Sequence, residues 1–89
     1  MKRDQDFIRD ILLKIEGGQG VFETCSREAA EILRISSELS REEAEKLSGH
    51  LDLLEDDGLI KIESRGAAGV YLIKGLTSKG HSYLHSIRA

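Results

Sequence analysis

Two histidines four residues apart, His81 and His85, have a spacing at which one face of a helix can present both imidazoles to a metal ion. A zinc site needs a third protein ligand and usually a fourth. The chain has one other histidine, His50, and one cysteine, Cys25, and both belong to other predicted elements. The sequence therefore predicts no metal site and no cofactor. His50, within a long predicted helix, is expected to pack or hydrogen-bond near the joint between that helix and the next strand.

No pattern typical of an enzyme accompanies these residues. Cys25 has no histidine close to it in sequence, so we expect a small, partly buried side chain rather than a nucleophile. The glycine-rich segment 17–20 lacks the lysine and the strand-to-helix context of a phosphate-binding loop, so it is predicted to be a turn. With no acid–base pair or activated nucleophile in view, we predict that the chain is not an enzyme.

The composition is that of one small soluble domain spanning residues 1–89. Of the 89 residues, 39% are hydrophobic and 33% are charged, and 13 Lys and Arg against 16 Asp and Glu give a formal net charge of −3. That balance argues against a protein whose whole surface binds nucleic acid. No apolar run is long enough for a membrane span, and the charged start predicts no signal peptide. A single cysteine cannot form an internal disulfide, which favours a cytoplasmic location.

Hydrophobic periodicity in the first half predicts a helix from about Asp4 to Glu16, ended by Gly17 and Gly18. The β-prone run Val21–Cys25 predicts a short strand. Residues 26–39 are ambiguous. Ser26–Glu31 has the cap and composition of a helix, whereas Ile32–Ser36 would also serve as a strand. We expect a short helix followed by an extended piece.

The clearest helix runs from Ser40 to Asp57, because Ser40 and Glu43 form a capping box and apolar residues follow at helical spacing. Gly58 ends it, and Leu59–Glu63 alternates apolar with polar residues as a half-buried strand does. Val70–Ile73 is the second strand of a hairpin whose loop is residues 64–69. Thr77 is predicted to cap a last helix in which Gly80, Leu84 and Ile87 share one face, with Tyr83 alongside.

The order of helix, short strand or helix, long helix, hairpin and helix is that of a winged helix, so the predicted fold class is a small α+β winged helix-turn-helix domain. The hairpin is the wing. The long helix before it occupies the position of a DNA-reading helix.

The chain also resembles a bacterial and phage family of short winged-helix-like proteins of unknown function. Three blocks carry the resemblance. The first is residues 1–16, which begin Met1-Lys2-Arg3-Asp4 and continue into the first helix. The second is residues 50–60, where the long helix ends at the joint Gly58-Leu59-Ile60, and the third is residues 75–84, with the motif Gly75-Leu76-Thr77-x-x-Gly80-His81. The resemblance implies a winged-helix fold and an origin in a bacterial chromosome or prophage. It implies no activity and no site.

The long helix carries the wrong charge to read a major groove. Residues 40–57 hold two basic and seven acidic residues, a net charge of −5. Its predicted outward face is Glu42, Glu45, Gly49, Asp52 and Asp56, flanked by Lys46 and Leu53. Only Lys46 is a hydrogen-bond donor there, and the four carboxylates would repel the phosphates of DNA. The neighbouring carboxylates Glu55, Asp56 and Asp57 end the helix at its negative pole, which is unfavourable unless solvent or a basic partner compensates them.

Residues 58–89 are basic instead, with five basic residues against one acidic, a net charge of +4. The candidate nucleic-acid-binding residues are Lys61, Arg65, Lys74 and Lys79. Arg65 near the wing tip and the lysines would contact phosphates, which positions a protein without specifying a sequence. The alternative is that these charges only keep the surface hydrated and bind no partner, and it carries at least equal weight.

Two functions from different classes follow. The first, slightly favoured by the fold, is a DNA-binding or transcription-associated module that uses the basic wing on duplex DNA. The second is a protein-interaction or dimerisation adaptor whose acidic helix face binds a basic protein partner or mimics nucleic acid. Its candidate partner-binding residues are Glu42, Glu45, Asp52, Leu53 and Asp56. Leu53 is expected either to be covered by the first helix or to be exposed as a contact in a homodimer.

Overall fold

The computed structural model describes residues 3–34, 37–66 and 69–87, which form four helices and one three-stranded antiparallel sheet. The elements in chain order are α1 (Gln5–Glu16), β1 (Val21–Glu23), α2 (Arg27–Leu33), α3 (Arg41–Asp56), β2 (Ile60–Arg65), β3 (Val70–Leu76) and α4 (Ser78–Ile87). The predicted α+β class is therefore confirmed. Within the described residues, no helix combines the length and the apolar character that crossing a membrane requires.

The predicted helix caps are confirmed, because each helix start is fixed by a local side-chain hydrogen bond. The Asp4 carboxylate accepts from the Phe7 N–H at 3.1 Å. Ser40 and Glu43 form the reciprocal capping box, with the Glu43 N–H 3.1 Å from the Ser40 hydroxyl. The Thr77 hydroxyl accepts from the Gly80 N–H at 2.9 Å. Such caps bond N–H groups that the helix itself leaves without partners.

The ambiguous segment contains a helix, α2, capped by the Ser26 side chain and ended by Arg34 in the left-handed conformation at φ 58°. The strand alternative is wrong for Ile32, which lies in the helix with 83% of its surface exposed. Residues 35 and 36, on which part of the expected extended piece falls, lie outside the described residues. Residues 37–40 have no regular structure.

The sheet has the order β1-β3-β2, so the hairpin strand β3 is central and pairs with both neighbours. Val21 pairs with Leu72 on one side, and Arg65 pairs with Tyr71 on the other. Strand β2 continues to Arg65, which corrects the predicted start of the hairpin loop at residue 64. The pairing of Arg65 with Tyr71 extends the ladder two residues further towards the tip than the alternation of apolar residues indicated.

The core lies between the inner face of the sheet and the helices α1, α3 and α4. Its fully buried large side chains are Ile8, Leu12, His50, Leu51, Leu54, Ile60 and Leu84. Helix α4 lies close to the joint at Gly80, where an added Cβ would overlap the Leu59 carbonyl. This contact holds the end of the chain against the joint between α3 and the hairpin.

A candidate interaction surface on helix α3

Helix α3 and strand β2 are joined by an ion-pair cluster around Arg65. The Arg65 guanidinium donates to Asp52 Oδ1 from Nε at 3.2 Å and from Nη2 at 2.9 Å, and Nη2 also donates to Glu55 Oε1 at 2.9 Å. The other Glu55 oxygen accepts from the Ile62 N–H at 3.3 Å. Two carboxylates thus hold one guanidinium and raise its pKa further above its ordinary value, Glu55 contributing most.

Tyr71 completes this cluster from β3. Its hydroxyl lies 3.2 Å from both oxygens of the Asp52 carboxylate, and the Arg65 guanidinium carbon lies 5.5 Å from the centre of its ring. Burial raises the pKa of the Tyr71 phenol, and the neighbouring Asp52 charge raises it further, while Arg65 opposes the shift. Asp52, predicted to face outward, is therefore occupied at the edge of the sheet.

Glu42, Glu45 and Asp56 remain exposed on α3. The Glu45 carboxylate lies 3.5 Å from Nε of Arg41 in an exposed pair, which contributes little to stability. Glu42 and Asp56 have no partner among the described residues. Leu53, the apolar partner-binding candidate, is half-buried. The exposed acidic surface of α3 is defined here by Glu42, Glu45 and Asp56.

Lys46, the one predicted donor beside that surface, belongs instead to a cluster at the start of α1. Its ammonium lies 2.8 Å from Asp4 Oδ2 and 4.6 Å from the centre of the Phe7 ring. The hydrogen bond from Lys46 holds the pKa of the Asp4 carboxyl below its ordinary value, and the Phe7 N–H adds to the shift. Lys46 therefore ties α3 to the start of α1.

His50 is fully buried in the same cluster, as its predicted packing role requires. The Asp4 N–H donates to Nε2 at 3.1 Å, and Nδ1 lies 2.7 Å from the Lys46 carbonyl oxygen. Since Nε2 accepts a hydrogen bond, the hydrogen is on Nδ1, which donates to the carbonyl. Both ring nitrogens are thus used inside the fold.

The lysines among the predicted nucleic-acid-binding residues lie far along the hairpin from its tip. Lys61 pairs with Gly75 at the open end of the hairpin, and Lys74 precedes Gly75 on the same strand. The Lys79 side chain lies near Gly58. Lys61, Lys74 and Lys79 are exposed, and no described carboxylate pairs with them. The structure therefore separates these three lysines, the hairpin-base lysines, from Arg65, which is bound by α3.

Sequence reasoning missed two members of the Arg65 cluster, Glu55 and Tyr71. The signal for Glu55 was its unfavourable position at the negative end of a helix, which a nearby cation compensates. Asp57, at the same end, is compensated by Arg3 at 2.8 Å. No local pattern pointed to Tyr71.

The remaining chemical candidates do not assemble into a site. His81 and His85 are exposed on α4, and no described set of three histidine, cysteine or acidic side chains has a metal-binding arrangement. The buried Cys25 thiol donates a weak hydrogen bond to the Ser26 carbonyl at 3.5 Å.

The fold and these clusters define a small α+β domain with four helices and a three-stranded antiparallel sheet. Residues 2–89 match the family model described as "Hypothetical protein (DUF2513)", so the chain belongs to this family of unknown function. The family resemblance noted in the sequence is confirmed to that extent. Neither the curated proteins nor the solved structures include a significant match to the chain.

Proposed function

We propose that the domain is a non-enzymatic winged helix of a bacterial or prophage protein, and that it binds a positively charged segment of a partner protein in the cytoplasm. The order of its elements supports the winged-helix assignment: α2 and α3 form the helix-turn-helix, and the β2–β3 hairpin is the wing. In this arrangement α3 is in the position from which a winged helix contacts its target.

One observation carries the choice of a protein partner: Arg65, the cation near the tip of the wing, is bound by Asp52 and Glu55 of α3. A guanidinium with two carboxylate partners has little to offer a phosphate. Within the described part of the chain, Arg41 is the one cation that pairs with the acidic surface of α3, through Glu45. Such a surface repels duplex DNA and attracts lysine and arginine side chains.

A charge-reversal experiment tests this proposal. The variant E42K/D56K reverses two exposed carboxylates that make no internal bond, and E28K/E31K makes the same charge change on α2. Each protein is titrated with a labelled peptide rich in lysine and arginine at about 0.15 M salt, where the Debye length is about 8 Å. We expect E42K/D56K to bind the peptide at least about tenfold more weakly, equivalent to roughly 1.4 kcal/mol of binding free energy. We expect E28K/E31K to keep the affinity of the wild type. Equal binding by both variants contradicts the proposal.

Duplex DNA is the second candidate, and the hairpin-base lysines favour it, since all three are exposed and unpaired within the described residues. Fluorescence anisotropy of a labelled mixed-sequence duplex, at low and at higher salt, tests it directly because non-specific binding depends on counterion release. If DNA is the target, K61A/K74A/K79A weakens binding and flattens its salt dependence, whereas R65A leaves it unchanged. Absence of binding at low salt rules this candidate out.

A further inference from the structure

A groove opens on the side of α3 that faces α1, next to the acidic surface. It has a volume of about 740 Å³. Its walls are α1, the end of β1, the segment before α3 and the first turns of α3. No motif in the sequence pointed to it, because its lining comes from four separate stretches of the chain.

The floor of the groove is apolar. Ile11 and Phe22 are buried beneath it, and three half-buried side chains form its sides: Phe7, Leu39 and Leu47. A partly exposed apolar concavity of this size accommodates one or two side chains of a ligand, and each that enters leaves water.

The rim of the groove is acidic. Its carboxylates are Asp10, Glu23, Glu38 and Glu43, and its cations are Lys14 and Lys46. The Lys46 charge is already compensated by Asp4 at 2.8 Å. Asp10, Glu23 and Glu38 are exposed and bind no described side chain. A ligand that fits the floor and the rim together therefore combines an apolar centre with flanking positive charge.

We propose that this groove receives one aliphatic or aromatic side chain of a lysine- and arginine-rich segment of the partner protein. The inference rests on the proposed function, since it gives the basic partner an apolar anchor beside the acidic surface of α3. The anchor supplies affinity through burial, and the flanking cations select the segment through the carboxylates of the rim.

A set of labelled heptapeptides tests the inference on the full chain. Each peptide has lysine and arginine flanks and Leu, Ile, Phe, Met or Ser at its centre. At about 0.15 M salt we expect the best apolar peptide to bind about tenfold or more tighter than the serine peptide, since a buried apolar side chain contributes free energy of that order. Methyl resonances of Ile11, Leu39 and Leu47 should shift on binding.

Two charge variants locate the binding. E23K/E38K reverses two unbonded rim carboxylates, and E31K/E63K makes the same change at exposed positions that do not line the groove. We expect the first to weaken the apolar peptide about tenfold and the second to leave its affinity within a factor of about two. Circular dichroism and thermal melting verify that both variants are folded.

The outcomes separate the two proposals. If the serine peptide binds as tightly as the best apolar peptide, the groove proposal is overturned, while weaker binding of the basic peptide by E42K/D56K still supports the acidic surface of α3. No binding by any of the heptapeptides overturns the groove. The proposed function fails separately, if E42K/D56K binds the labelled basic peptide of the charge-reversal experiment as tightly as the wild type does. Methyl shifts that follow protein concentration, together with sedimentation as a dimer, identify a second copy as the occupant and also overturn the proposal.

Discussion

Arg65 on β2 and Asp52 on α3 bind each other through two hydrogen bonds to one carboxylate oxygen, at 2.9 and 3.2 Å. Arg65 is the residue by which a wing would contact phosphate, and Asp52 is one by which the helix would contact a basic partner. Each neutralises the charge of the other, although the Arg65 and Asp52 side chains stay 48% and 47% exposed. The contact has to break before either charge is free for a partner. Outside this contact, Glu42, Glu45 and Asp56 are exposed on α3.

The titration of Tyr71 reports directly on this contact. Because burial and Asp52 raise the pKa of the Tyr71 phenol while Arg65 lowers it, D52N should lower the midpoint and R65Q should raise it. Phenolate absorbance in a Y83F background isolates Tyr71, the other tyrosine of the chain. The folded pKa of Tyr71 exceeds the unfolded value of about 10. The contribution of Tyr71 to the free energy of unfolding is therefore fully present below about pH 10 and is lost as pH rises through the folded pKa. Midpoints that are the same in D52N and R65Q would disprove the cluster.

The bond between Lys46 and Asp4 predicts an acid-dependent contribution to stability. Lys46 lowers the pKa of the Asp4 carboxyl, so the contribution is present above the unfolded value of about 3.9 and is lost as pH falls through the folded pKa. Carbon NMR of the carboxyl should show a higher Asp4 midpoint in K46Q than in the wild type. K14Q, which removes an exposed lysine of α1, serves as the control and should leave the midpoint unchanged.

His50 should be required for stability and not for surface binding. In H50L the Asp4 N–H loses its acceptor, and the expected loss in unfolding free energy is about 1–3 kcal/mol in urea denaturation. The exposed His81 provides a matched control, since H81L should change stability by less than about 0.5 kcal/mol. A wild-type denaturation midpoint in H50L would show that the buried bonds contribute nothing.

Gly80 should not tolerate a side chain, although it lies in a helix. Alanine gains about 1 kcal/mol of helix propensity over glycine, but its Cβ would overlap the Leu59 carbonyl. We expect G80A to be destabilised by about 1–3 kcal/mol overall, because helix and joint must move apart. Thermal unfolding compares it with S82A, at an exposed position of the same helix, which should be neutral or slightly stabilising. A G80A protein more stable than the wild type would mean that the approach of α4 is looser than described.

The parts of the fold that could be predicted are those fixed by interactions between residues close together in the sequence. Helix α3 was bounded correctly because the capping box of Ser40 and Glu43 and the apolar spacing act within a few turns. Helix α2 was ambiguous because 7 residues make only about two turns, too few for a period to separate helix from strand. The end of β2 was misjudged because Ser64 and Arg65 are held by their pairing with β3, and not by an apolar pattern of their own.

The sequence by itself determined the longer helices, the caps and the division into an acidic long helix and a basic carboxyl-terminal part, since these depend on local backbone preference and on composition. Only the tertiary structure decided which charges cancel. Packing brings Arg65 to Asp52, Lys46 to Asp4 and Arg3 to Asp57, pairs separated by 13, 42 and 54 residues along the chain. Coulomb energy depends on distance in space, so the charges that remain for a partner are known only once the helices and the sheet have packed.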